Sequence, residues 1–141
     1  MHEYALAEGI ISTAVKTAVK EGLKQITAIK VKIGELQQID SEIFNFVIKE
    51  IIKNENLIMK NANIIIEQEK AFFKCRVCGN EWSFSEINNR LNENELESVH
   101  FVPEVSHTYI KCPKCKSPDF DVVKGNRVWI DSIEGERQDG L

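Results

Sequence analysis

The sequence CRVCG at residues 75–79 and the sequence CPKC at residues 112–115 together contain all four cysteines of this 141-residue chain. Two residues between paired cysteines let both sulfurs of a tight turn face one ion at about 2.3 Å, and Gly79 supplies the permissive backbone that such a turn often needs. Four thiolates form a closed tetrahedral cage, which suits Zn(II) and leaves no open position for catalysis. We therefore predict a structural zinc site. Its expected ligands are Cys75, Cys78, Cys112 and Cys115.

Other uses of four cysteines depend on the compartment. The N-terminus carries an acid where a secretory signal would carry positive charge, and no apolar run approaches the roughly 18 residues of a membrane span. We therefore expect a cytoplasmic protein without a membrane partner, in which this spacing favours a metal over a disulfide. Iron in a rubredoxin-like cage and a redox-active dithiol remain alternatives, because four thiolates also suit iron.

Apolar periodicity predicts two helices and two strands before the first cysteine pair. Repeats of three or four positions indicate helices, whereas strict alternation such as Ile29, Val31 and Ile33 against lysines indicates a strand with one dry face. Asp40 or Ser41 can cap the second helix. The expected elements are a helix over residues 4–20, a strand from 28 to Gly34, a helix from about 41 that stops within 54–56, and a strand over 63–69.

The remainder of the chain is expected to form a small module stabilised by the metal ion, followed by a strand that returns to the first sheet. Each cysteine pair is expected to sit on a short strand turn, and residues 79–111 are longer than the spacer of a compact zinc ribbon. The other expected elements are a polar helix-like stretch over 85–96, a strand over 120–123, a turn over 124–126 and a last strand over 128–133. That last strand is expected to complete the first sheet, since a two-stranded sheet is marginal.

The predicted fold class is therefore α+β. It consists of two helices packed on a small three-stranded sheet, with a four-cysteine zinc-ribbon-like domain inserted before the last strand. The expected domains are an α+β domain over residues 1–70, completed by the returning strand at about 124–134, a zinc-binding domain over 71–123, and a frayed tail over 135–141.

The chain begins Met1-His2-Glu3, which is a second candidate metal site. The amine of Met1, the deprotonated amide nitrogen of His2 and the Nδ1 atom of its imidazole can close five- and six-membered chelate rings around one ion. Three nitrogen donors in one plane suit nickel(II) or copper(II) better than zinc. A fourth planar position is left for Glu3, another histidine or a transfer partner, and an incomplete coordination sphere is useful for handing a metal on. The alternative interpretation is that His2 binds no metal, because many proteins carry a histidine near the N-terminus that has no such role.

Taken together, these motifs resemble the HypA family of hydrogenase nickel-incorporation proteins, in its archaeal type. The resemblance rests on Met1-His2-Glu3, Gly34-Glu35-Leu36 after the first strand, both cysteine pairs, the stretch 100–104 (HFVPE) and Asp119-Phe120. It implies a metallochaperone with Ni(II) as cargo at His2 and the N-terminal backbone, and with structural Zn(II) at the four cysteines. It also implies transfer in concert with a HypB-type GTPase to a hydrogenase large subunit precursor.

Several single residues carry competing interpretations. His100 is a candidate fourth nickel ligand because of its family-like surroundings, whereas His107 is interpreted as a surface imidazole. Glu3 can bind nickel or simply stabilise the positive end of the first helix, by about 0.3 to 1 kcal/mol. Glu35 and Glu42 are interpreted as ordinary surface acids.

Three other function classes compete with nickel delivery. A zinc-ribbon adaptor or nucleic-acid-binding module without a nickel role is the main alternative, but the formal net charge of −4 argues against nucleic acid, whose partners usually carry a basic stripe. An iron-loaded electron carrier is the second. An enzyme is not expected, because the sequence has no evident nucleophile and base constellation and its strong cage is closed. We also consider a homo-oligomer.

Overall fold

The computed structural model describes residues 3–55, 58–87, 91–95, 98 and 109–137. The chain divides into two compact units by its contacts. The first consists of residues 1–32, 39–67 and 128–141, and the second consists of residues 33–38 and 68–127. Residues 33–38, which the sequence interpretation gave to the first domain, thus belong to the second unit.

The first unit is a layer of two helices on a three-stranded sheet. Its helices are α1 (Glu3–Lys20) and α2 (Ser41–Glu55), and its strands are β1 (Leu23–Gly34), β2 (Asn63–Glu69) and β6 (Val128–Arg137). The last two residues of β1 and of β2 lie in the second unit. The strands run in the order β2-β1-β6, so the last strand of the chain returns to this sheet, as predicted. The helix α1 contacts α2 and β6.

Local signals explain the helices of this unit. Ala7, Ala14 and Ala18 are fully buried on α1, and these small side chains allow close packing along that face. The Asp40 carboxylate accepts hydrogen bonds from the amides of Glu42 and Ile43, at 2.9 and 3.2 Å, so Asp40 is the side-chain cap of α2. Glu42 itself is exposed, as expected.

Two strands of the first sheet, β1 and β6, are longer than predicted, and their additional residues lie against each other. β1 begins at Leu23 rather than near Ala28, and β6 continues to Arg137, so residues 135–137 are not a frayed tail. A side chain at Gly135 would clash with the backbone oxygen of Gln25, because the two extensions lie in close contact. The expected tail residues 138–141 lie outside the described part of the chain.

The second unit is built on an antiparallel sheet in the order β4-β3-β5. Its strands are β3 (Phe72–Cys75), β4 (Glu81–Ser83) and β5 (Phe120–Lys124). The core is aromatic: the ring of Phe73 lies 5.5 Å from that of Trp82 and 5.3 Å from that of Phe120, between centroids. Three tilted or edge-to-face rings give a small module a large buried apolar area, which a unit of this size otherwise lacks.

Around the second cysteine pair and the spacer, the secondary structure differs from expectation. The first pair begins at the last residue of β3, but residues 110 and 111 before the second pair are not a strand, so that prediction was wrong there. The pairing with β3 is instead made by β5, which follows the second pair. The polar stretch predicted over 85–96 contains a short 3-10 helix, Phe84–Glu86, and a helical turn at 93–95, while residues 88–90 and 96–97 lie outside the described ranges.

Candidate metal centres

The four cysteines come together in one cluster, with all four sulfur atoms within 4.8 Å of one another. The Sγ atoms of Cys75 and Cys115 are 3.5 Å apart, and those of Cys78 and Cys112 are 3.6 Å apart. Four sulfurs bound tetrahedrally at about 2.3 Å from a zinc ion would lie about 3.8 Å from one another. The cluster is thus close to the size of a loaded cage, with each short distance joining one cysteine of the first pair to one of the second.

Backbone amides of both turns are directed at the sulfur of the first cysteine in each pair. The Cys75 sulfur accepts hydrogen bonds from the amides of Val77 and Cys78 at 3.3 and 3.5 Å, and the Cys112 sulfur accepts one from Cys115 at 3.4 Å. Such donors stabilise the thiolate form, which is the form that binds metal. The two-residue spacing places these amides there, because it closes one tight turn around each sulfur.

Asn80 is a further contact that the sequence interpretation did not single out. Its side-chain nitrogen lies 3.8 Å from the Cys112 sulfur, so a residue after the first pair touches a ligand of the second. Its position two residues after Cys78 is the only signal in the sequence.

Burial and charge differ among the sulfurs. Cys75 and Cys112 are buried, whereas Cys78 and Cys115 are exposed. The pKa of Cys75 is lowered, first by the hydrogen bond from the Cys78 amide. Burial raises the pKa of Cys112, but the amides of Cys115 and Lys114 outweigh it and bring this pKa to about 6. The Ser117 amide favours the Cys115 thiolate, yet the contacts with the three neighbouring sulfurs, together with partial loss of solvent, raise the pKa of Cys115 to about 12. Four thiolates this close repel one another, and a divalent cation removes the conflict.

The donor set fits a zinc ion held as a structural element. Soft thiolates in a tetrahedral arrangement suit zinc or iron, and with all four positions taken by protein no coordination site is left for a substrate. A metal ion here would hold the two turns, and with them the aromatic core, in place.

Segment 33–38 packs within the second unit through contacts that the sequence interpretation missed. The Glu35 carboxylate accepts a hydrogen bond from the Ala71 amide at 2.9 Å, so Glu35 is not an ordinary surface acid. Leu36 is buried in the aromatic core, and its amide donates to the Gly125 carbonyl at 2.9 Å. The signal was the Gly34-Glu35-Leu36 motif, but its partners lie far along the chain.

The predicted nickel ligands fall mostly outside the described residues. Met1, His2 and His100 lie outside them, and so does His107. Glu3 is described: it is the first residue of α1, in the first turn, and is partly exposed. That position fits the stabilisation of a helix N-terminus by an acid. It also leaves the carboxylate accessible.

None of the helices in the described part of the chain combines the length and apolar character that crossing a bilayer requires.

The fold and the four-sulfur cluster define a two-unit α+β protein whose second unit contains four cysteines that could hold one metal ion. Residues 1–135 match the family described as hydrogenase/urease nickel incorporation, metallochaperone, HypA. The hydrogenase maturation factor HypA of Pyrococcus abyssi is 46% identical over 140 residues, covering 99% of both chains. That of Ignicoccus hospitalis is 31% identical over 136 residues, covering 95% of this chain and 96% of the relative. This chain belongs to the HypA family of nickel metallochaperones.

Solved structures carry the same fold. The solution structure of the Ni metallochaperone HypA from Helicobacter pylori superposes with a TM-score of 0.66 at 24% identity, covering 98% of this chain and all of that one. A second HypA solution structure gives a TM-score of 0.61, also at 24% identity, and covers 96% of each chain.

Proposed function

We propose that this protein binds Ni(II) at its N-terminus and delivers it during the maturation of [NiFe]-hydrogenase, with Zn(II) at the four cysteines as a structural element. The main support is the family match, which spans residues 1–135 and therefore includes the Met1-His2-Glu3 start. The four cysteines of the cluster would fill all four positions of a tetrahedral ion, so a transferable ion needs another place.

Zinc is proposed for the cysteine cluster because of its chemistry. Zinc has no redox activity and no preferred geometry from d-electrons, so it fits a closed tetrahedral thiolate cage whose role is to hold a fold. Nickel(II) gains more from nitrogen donors in a plane, which the cage does not offer. The two metals are therefore assigned to different donor sets, with zinc retained and nickel exchanged.

The nickel site is proposed to use the amine of Met1, the amide nitrogen of His2 and its Nδ1 atom. Glu3 or His100 fills the fourth position. Of these two candidates, Glu3 follows His2 directly, whereas His100 is contributed by the spacer between the cysteine pairs. A fourth ligand that exchanges readily lets a recipient protein replace the nickel donors one at a time. The ion can then pass between the two proteins without being released into solution.

Delivery is proposed to occur in the cytoplasm, together with a HypB-type GTPase and a hydrogenase large subunit precursor as recipient. The protein's own part is binding and presentation of the ion rather than catalysis. The domains then have distinct roles: the α+β domain carries the nickel end, and the zinc-binding domain carries the spacer with His100.

The test is nickel titration by calorimetry of zinc-loaded protein and single variants. His2→Ala is expected to lose high-affinity nickel while retaining its zinc, and His107→Ala is the matched control that should bind nickel as the unaltered protein does. Glu3→Gln and His100→Ala assign the fourth position: the variant of the true ligand binds more weakly, and the other does not change. Unaltered nickel binding by His2→Ala would refute the proposal.

A further inference from the structure

Arg76 lies between the two cysteines of the first pair, and its side chain reaches the stretch that follows the second pair. Its Nε atom donates to the Asp121 carboxylate at 2.9 Å, and a terminal nitrogen donates to the same oxygen. The other terminal nitrogen donates to the Asp119 carboxylate at 3.1 Å. One guanidinium thus binds two carboxylates, and both belong to residues that follow the second cysteine pair.

The backbone of Arg76 makes the same connection. Its amide donates to the Asp119 carbonyl at 3.0 Å, immediately beyond the register in which Cys75 faces Phe120 on β5. The pairing of β3 with β5 is therefore continued, by one backbone bond and one side chain, into the turn that holds Cys75 and Cys78. Asp119 lies four residues after Cys115, so the contact joins the first cysteine turn to the stretch that follows the second.

A single exposed ion pair would carry little weight. The side chains of Arg76, Asp119 and Asp121 are 56%, 54% and 55% exposed, and isolated pairs at such sites contribute little because solvent screens them. Arg76 differs because it donates three hydrogen bonds in the fixed fork of a guanidinium to two acids. Its position matters more than its strength, since an opening of the cage that separates the first cysteine turn from the start of β5 breaks all of these contacts.

We propose that Arg76 is a positioning residue that holds the two cysteine pairs together and slows the release of the metal ion. This rests on the proposed zinc centre. Release of an ion from four thiolates proceeds stepwise, and after the first sulfurs leave, the ion is either recaptured or lost. Arg76 keeps the separated sulfurs near their partners and so favours recapture. The salt-sensitive nature of its contacts makes retention depend on ionic strength.

The experiment measures the rate at which zinc passes from the protein to an excess of a chromophoric chelator. Arg76→Gln is expected to release zinc roughly three to ten times faster, which is the range of a small charged network. Arg76→Lys keeps the positive charge but loses the forked geometry of the guanidinium. Its zinc release rate is expected to lie between those of the unaltered protein and Arg76→Gln. Raising the salt from about 0.05 M to about 0.5 M should speed release from the unaltered protein and leave Arg76→Gln nearly unchanged.

Two controls separate positioning from a general effect of charge. Lys24→Ala removes the lysine of another exposed ion pair, 3.9 Å from Glu136 in the first unit, and should leave the release rate unchanged. Asp119→Asn combined with Asp121→Asn should match Arg76→Gln, and adding Arg76→Gln to that pair should give no further increase, because both changes break the same contacts. Emission of the buried Trp82, recorded in a Trp129→Phe background, checks that each zinc-loaded variant is folded. Should Arg76→Gln fail this check, Arg76→Lys and the asparagine pair carry the comparison.

The outcomes distinguish this inference from the proposed zinc centre. Equal release rates from fully zinc-loaded protein and Arg76→Gln overturn the role of Arg76 and leave the zinc centre intact. Purified protein without bound zinc, and unable to take it up, overturns both.

Discussion

Gly79 and Lys116 occupy equivalent positions in the two cysteine turns. Each follows the second cysteine of its pair, each has a positive φ, 76° and 68°, and each donates its amide to the carbonyl of the first cysteine, at 3.1 and 2.9 Å. The two turns therefore share one backbone conformation, although one is completed by glycine and the other by lysine. Left-handed backbone is strained for a residue with a Cβ atom, so the second turn carries a cost that the first avoids.

The first prediction concerns that difference. Lys116→Gly is expected to raise the free energy of unfolding of the second unit by about 0.5 to 1 kcal/mol, and Gly79→Ala to lower it by about 1 kcal/mol, because only glycine adopts this φ without strain. Among the described residues other than Gly79 and its two chain neighbours, no atom lies within 4 Å of a Cβ placed at Gly79, so strain rather than a clash is tested. The measurement is chemical unfolding at a fixed zinc concentration, followed by Trp82 emission in a Trp129→Phe background.

Gly9 provides the matched control for that pair. It lies within α1, also with no atom within 4 Å of an added Cβ, but its φ is not positive. Gly9→Ala should therefore stabilise the first unit by up to about 1 kcal/mol, the opposite sign to Gly79→Ala. If Gly79→Ala were also stabilising, the account of the turns would be wrong.

The second prediction concerns zinc removal. Chelation is expected to unfold the core of the second unit, because metal binding and folding are coupled in cages of this kind. Trp82, which is 3% exposed, should then shift its emission to longer wavelength. The measurement uses Trp129→Phe, since Trp129 is the other tryptophan and is already 39% exposed. An unshifted Trp82 after complete loss of zinc would contradict the structural role.

A third prediction addresses segment 33–38. Leu36→Ala is expected to lower the free energy of unfolding of the second unit by about 2 to 5 kcal/mol, since it removes a side chain that is 2% exposed. Glu35→Ala should cost about 1 to 2 kcal/mol, because the Ala71 amide loses its acceptor. Glu42→Ala serves as the control at an exposed acid and should change little. Unchanged unfolding midpoints of the second unit in both Leu36→Ala and Glu35→Ala would show that segment 33–38 does not stabilise that unit.

The sequence predicted the parts of this fold that depend on local signals. The helices α1 and α2 and the strand β2 followed from periodicity and a cap, and the cysteine cluster followed from spacing, because two tight turns and one ion define the geometry. The start of β1 was missed because its buried residues Ile26 and Ile29 are three apart, which breaks the alternation of a regular strand.

Features that depend on distant partners were not predictable in the same way. The end of β6 reads Glu-Gly-Glu-Arg, which looks like a polar tail until its contact with β1 is known. Glu35 resembles any surface acid, since its acceptor role depends on an amide 36 residues away. Arg76 and its two aspartates are likewise charged residues whose pairing only the fold reveals.

The fourth prediction is that nickel binding weakens as pH falls. The amide nitrogen of His2 must lose a proton to bind nickel, and so must an imidazole below its reference pKa of about 6.5. Affinity should therefore fall at least tenfold per pH unit, and more steeply below about 6.5, where protonated imidazole competes. Nickel titrations between about pH 6 and 8 check this, and a flat profile would rule out the chelate at His2.

Nickel titration of protein with a free Met1 amine, compared with the same protein acetylated at that amine, tests nickel binding at the N-terminus. Acetylation converts the amine into an amide and removes its charge, whereas the four cysteines are untouched. The acetylated protein is expected to lose high-affinity nickel and to retain its full zinc content. Equal nickel affinity and stoichiometry in the two proteins would contradict nickel binding by the Met1 amine and His2.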